Sequence, residues 1–101
     1  MAKQDTLGFL GLLYVAHKAY IGEEMIDKFS KMKIIIMAKD ATSSQATSTL
    51  KKAERMHLPV VKAYDEETLG RALGHEKVTF IGIIDSKAAA AFTKKAAEGD
   101  K

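Results

Sequence analysis

Apolar positions along this chain follow two rhythms. Between Lys33 and Ala38 the run Ile34-Ile-Ile-Met leaves no polar face, the pattern of a strand covered on both sides in the middle of a sheet. Ala19-Tyr20-Ile21, Val60-Val61-Lys62-Ala63 and the mostly apolar Val78 to Ile84 predict three further strands. Segments with helical spacing separate them. Leu7 to Lys18, behind a cap signal at Asp5-Thr6, is apolar almost all round; Gly8 and Gly11 share one face and predict a close approach of that helix to the sheet. Glu23 to Lys31 predicts roughly two helical turns with Met25, Ile26 and Phe29 inward, and Gly22 precedes it as a turn or N-cap. Ala41 to Met56 predicts a helix capped by Thr42 or Ser43, with Ala46, Leu50 and Ala53 inward and Lys51, Lys52 and Arg55 outward, closed by His57-Leu58-Pro59. Asp65 caps a helix through Leu69 and Leu73 that Gly74 stops, and Asp85 or Ser86 caps a last Ala-rich helix fraying into Gly99-Asp100-Lys101. Strands alternating with helices predict a three-layer α/β/α sandwich around a small mixed or mostly parallel four-stranded sheet, with disordered tails at 1–4 and 96–101.

The chain's 101 residues make a single domain spanning 1–101, able to bury about two-thirds of its unfolded surface. With no cysteine it has neither disulfides nor thiolate metal ligands. The net charge of +3 is too mild to imply a nucleic-acid partner by itself, but Lys18, Lys28, Lys31, Lys33 and Lys39 cluster around the central strand. That cluster reads either as a solvated surface or as an attraction for phosphate. No segment is long enough to cross a bilayer, and although Leu7 to Ala16 resembles a short signal core, Asp5 and the paired glycines argue against export. A cytoplasmic protein without a membrane partner is expected.

Candidate chemistry narrows quickly. His17, His57 and His75 hold no metal-ligand spacing, so no metal is expected. There is no Gly-x-Ser-x-Gly elbow, and Gly22, Gly70, Gly74 and Gly82 form neither a phosphate loop nor a dinucleotide fingerprint. The expectation is a protein that is not an enzyme and carries no cofactor. Glu24 and Lys28, like Asp27 and Lys31, are four apart. They serve either as exposed helical ion pairs or, for Glu24 and Lys28 beside an open Gly22, as groups reaching base edges and phosphates.

Four stretches, in order from Leu7 to Ala90, resemble the L-seven-Ae family of ribosomal proteins, within it the small bacterial branch called YlxQ. They are Leu10-Gly-Leu-Leu-Tyr-Val-Ala-His-Lys, Gly22-Glu-Glu-Met-Ile-Asp-Lys, Ile34-Ile-Ile-Met-Ala-Lys-Asp-Ala, and Leu58-Pro-Val-Val through Leu69-Gly-Arg-Ala-Leu-Gly. Each is weak alone; their joint order and spacing are specific. The resemblance implies an α/β/α sandwich that binds RNA, typically a kink-turn or related bulge flanked by sheared G·A pairs. It implies that Gly22, Glu24, Met25 and Lys28 face the kinked backbone and guanine edges, and that Ala38 to Ala41 lies near the RNA. Met25 stands where the family usually has Glu or Gln. The loop before Leu69-Gly70, apolar or neutral in the family, is Tyr64-Asp65-Glu66-Glu67 here; Tyr64 could stack on a base, while the carboxylates oppose phosphate.

The function expected is therefore structured-RNA binding of ribosomal-protein type, ribosome-associated, through Gly22, Glu24, Met25 and Lys28. Lys18, Lys31 and Lys39 add phosphate attraction and Tyr64 adds stacking. Met25 and the acidic loop favour the alternative, a protein-interaction module of the translation machinery that kept the fold and lost RNA binding. No particular protein partner is legible.

Overall fold

The structure is a computed structural model that describes the backbone of residues 2–99 and the side chains of residues 7–94. Of the tails expected to be disordered at 1–4 and 96–101, residues 1, 100 and 101 lie outside the described residues, whereas the backbone of 2–4 belongs to α1 and that of 96–99 to α5. In chain order the elements are α1 (Ala2–Val15), β1 (Ala19–Ile21), α2 (Gly22–Asp27), a 3-10 turn at Phe29–Lys31, β2 (Ile34–Met37), α3 (Ser44–Arg55), β3 (Val60–Lys62), α4 (Glu66–Leu73), β4 (Phe80–Ile83) and α5 (Ser86–Gly99). Helix α1 starts ahead of the cap signal at Asp5-Thr6, which falls inside it.

The sheet runs β1-β4-β2-β3. β4 inserts between β1 and β2 and is antiparallel to both, while β2 and β3 are parallel, so the sheet is mixed rather than mostly parallel. Every residue of β2 is buried, as a strand without a polar face requires. Its side chains divide by strand alternation: Ile34 and Ile36 join Leu10, Leu13, Leu69 and Phe92 under α1, α4 and α5. Ile35 and Met37 join Met25, Phe29, Met32 and Ala46 under α2 and α3. The three-layer sandwich follows. β3 is an edge strand with half-buried valines rather than a core strand, because nothing pairs beyond it.

Local signals set the helix ends. Ser43 accepts a hydrogen bond from the Ala46 amide at 3.1 Å and Asp65 one from Thr68 at 2.7 Å; the Asp85 carboxylate accepts from Lys87 at 2.9 Å. Gly74 ends α4 in the left-handed region at φ 81°.

The glycines of α1 do not act as a pair. A Cβ on Gly11 would stand 2.8 Å from the Ala72 carbonyl oxygen, so Gly11 admits α4 rather than the sheet; a Cβ on Gly8 would meet nothing within 4 Å. Gly8→Ala is therefore expected to stabilise the protein by about 0.5–1 kcal/mol, the helical propensity difference. Gly11→Ala is expected to destabilise it by forcing α1 and α4 apart. Thermal melts check both, at about 4–8 °C per kcal/mol for a domain of this size.

Candidate nucleic-acid interface

β1, β2 and β3 point the same way and β4 the opposite way, so one end of the sheet gathers the exits of three strands and the entry of the fourth. β1 passes into α2 with no linker: Ile21 is extended at φ −131°, and Gly22 turns the chain at φ 59°. A side chain is strained there, and the space around Gly22 is open. Beside it lies a hollow of about 160 Å³ lined by Gly22, Gln45, Lys77 and Thr79 among others. A second hollow of about 170 Å³ includes Lys39, Thr47 and Lys62. The first turn of α3, with its partial positive charge, contributes to both.

The acidic loop adjoins this end in a conformation that uses most of its carboxylates. Tyr64, at φ 65°, accepts a hydrogen bond from the Lys39 amide through its carbonyl at 2.8 Å. The Asp65 carboxyl titrates below its ordinary 3.8, chiefly because Thr68 donates to it from side chain and amide. Glu66 Oε2 accepts from the Thr79 hydroxyl at 3.0 Å, and the Glu66 amide donates to Asp40 Oδ1 at 2.9 Å. Two of the three acids thus serve as a helix cap and a cross-loop tie.

The expected contact residues divide. Gly22, Lys39 and Tyr64 lie at this end of the sheet. Glu24 and Lys28 lie on its flank along the edge strand β1, where Lys28 Nζ sits 5.3 Å from the centre of the Tyr20 ring, within cation–π range. Glu24 is exposed beside Tyr20 and His17 in a hollow of about 260 Å³. Among the described residues neither Glu24 with Lys28 nor Asp27 with Lys31 forms an ion pair; α2 ends at Asp27 and Lys31 belongs to the 3-10 turn.

One expectation, a surface-facing Met25, needs correction, and two further expected contacts, Lys18 and Lys31, lie away from this end of the sheet. Met25 is 0% exposed, so its side chain cannot meet RNA at the surface. Gly82 of β4 leaves the room it fills, a Cβ there falling 2.7 Å from Met25 Cγ and overlapping Met32 as well. Lys18 and Lys31 precede β1 and β2 and so stand at the opposite end of the sheet. Lys18 Nζ pairs with Asp85 Oδ2 at 3.2 Å, and that contact, more than the amides of Ala88 and Lys87, lowers the Asp85 pKa. Conversely, Gln45, Lys62, Lys77 and Thr79 were not singled out. Lys62 was legible in principle, since it ends a strand parallel to β2 and such strand exits gather at one edge.

Among the described residues no group of three or more His, Asp or Glu could hold a metal ion, and no helix is long and apolar enough to cross a membrane.

Solved structures share this architecture, among them two with different relations to this chain. A protein of unknown function from Bacillus halodurans superposes with a TM-score of 0.78 at 26% identity, over 89% of this chain and 94% of the other. The 15.5kD RNA-binding protein of Giardia lamblia superposes with a TM-score of 0.72 at 17% identity, over 96% of this chain and 86% of that one. The fold is L-seven-Ae-like. No family model and no curated protein matches the sequence, so the likeness to the YlxQ branch rests on the four stretches alone.

Burial of Met25 turns its substitution into a test of packing. Met25→Gln is expected to lower stability by about 1–3 kcal/mol, the cost of burying an amide without partners. Thermal or urea melts measure it, and an unchanged midpoint would show that the side chain reaches water.

Proposed function

We propose that this protein binds structured RNA, a kink-turn or similarly bulged element of ribosomal type, and acts as a binding protein rather than an enzyme. One observation carries the reading: two hollows flank the first turn of α3, one lined by Lys77 and the open backbone of Gly22, the other by Lys39 and Lys62. Lysines and a helix N-terminus attract phosphate, and a glycine without cover lets a sugar-phosphate backbone approach closely. Gln45 brings an amide that can hydrogen-bond base edges. Lys28, seated on Tyr20, and the exposed Glu24 extend the interface along the β1 edge. The fold shared with the Giardia RNA-binding protein supports the reading.

A second reading, a protein-interaction module, has its own observation. Leu12 of α1 is 70% exposed, one helical turn from Gly8, which helps line a groove of about 340 Å³ with Leu7, Gly11, Thr68, Arg71 and Ala72. That face is separate from the lysine-lined end.

Titration against a generic kink-turn RNA and a duplex of equal length decides between them. The RNA reading expects selective binding of the kink-turn. It expects log Kd to change with log salt at a slope of about 2 to 4 in magnitude, from three or four displaced counterions. Binding to neither RNA, with stable capture of a protein partner that Leu12→Glu abolishes, would replace it with the interaction module.

A further inference from the structure

Glu66 is bonded at all three of its polar groups. Its amide donates to Asp40 Oδ1 at 2.9 Å, its carbonyl accepts from the Val78 amide at 3.0 Å, and its Oε2 accepts from the Thr79 hydroxyl at 3.0 Å. These bonds join the exit of β2, the start of α4 and the approach to β4. Two more tighten the same corner: the Ala38 amide donates to the Thr79 carbonyl at 2.9 Å, and the Lys39 amide to the Tyr64 carbonyl at 2.8 Å. Tyr64 is held there at φ 65°, a conformation that a bulky residue keeps only where its surroundings over-determine it.

A carboxylate beside a phosphate-binding surface weakens attraction for RNA, so Glu66 is poorly suited to a contact role. Its bonds give it another. We propose that Asp40, Glu66 and Thr79 form a positioning clamp that fixes Lys39 and Tyr64 on one side of the interface relative to Lys77 on the other. Spacing of this kind discriminates a bent RNA from a straight duplex, whereas lysines on unfastened loops attract both alike. The inference rests on the RNA-binding reading and adds to it the part that sets selectivity.

The test separates clamp from charge. Glu66→Gln and Glu66→Ala both remove the negative charge, but only Gln keeps an acceptor for the Thr79 hydroxyl; Thr79→Val removes the donor at unchanged charge. Each variant is titrated with kink-turn and duplex RNA, with thermal melts and amide exchange at Lys39 and Val78. Glu66→Gln is expected to bind the kink-turn at least as well as the native protein. Glu66→Ala is expected to bind it about fivefold more weakly than Glu66→Gln, and Thr79→Val about fivefold more weakly than the native protein, the effect of one hydrogen bond. Duplex affinity should be the same in Ala and Gln variants, and the double variant should lose no more than either alone. Should Thr79→Val fail to fold, Asp40→Ala, at an exposed position, removes the other side-chain contact of the clamp. Equal kink-turn selectivity in Glu66→Ala and Glu66→Gln, with Thr79→Val or Asp40→Ala like the native protein, would overturn the clamp. A native protein that binds neither RNA would instead overturn the RNA reading, and amide exchange would still report whether the corner is fastened.

Discussion

The burial of β2 on both faces is the constraint on which the rest of the molecule depends. Ile34, Ile35, Ile36 and Met37 are each at most 3% exposed, and side chains of this size gain about 1.5–3 kcal/mol apiece when fully buried. That gain exists only if helices cover both sides of the sheet. α1, α4 and α5 cover one side, α2 and α3 the other, and β3 and β4 satisfy the strand's backbone. Such a strand can place its polar neighbours only beyond its ends. Lys39 and Asp40 follow at once, and Asp40 reaches across to the start of α4.

Function, on this account, belongs to the end of the sheet because the middle has no room for it. The parallel strands β1, β2 and β3 deliver Gly22, Lys39 and Lys62 to one edge, and the antiparallel β4 brings Lys77 and Thr79 back to it. The net charge of +3 is unremarkable when averaged over the surface; what matters is that Lys77 shares one hollow with Gly22, Lys39 and Lys62 line a second, and the first turn of α3 contributes to both. The acidic loop, which reads as an obstacle to phosphate, instead caps α4 and ties it to β4.

What could be read from the sequence was what neighbouring residues decide. The two-faced apolar run marked β2, and the Ser43 and Asp65 caps and the Gly74 stop were visible because each acts within a turn of the chain. What could not be read depended on partners distant in sequence. Met25 reads inward on helical spacing, with Ile26 and Phe29, and outward on the family resemblance; Gly82, across the sheet, leaves the room that decides for the core. Gly11 meets Ala72, a contact that no periodicity encodes. The insertion of β4 between β1 and β2 sets the opposite ends at which Lys18 and Lys39 emerge, so a cluster of lysines along the chain is not a cluster in space. Lys77 comes to the same end of the sheet as Gly22 and Lys39 for the same topological reason.

The central claim is one of location, and a backbone amide chemical-shift map of the labelled protein titrated with a kink-turn RNA tests it most directly. The account predicts perturbations concentrated at Gly22, Glu24, Lys28, Lys39, Gln45, Lys62, Tyr64, Lys77 and Thr79. Lys18, Lys31 and the exposed face of α1 around Gly8 and Leu12 should remain unshifted. Perturbations centred on Lys18 and Lys31, or on the α1 face, would contradict it.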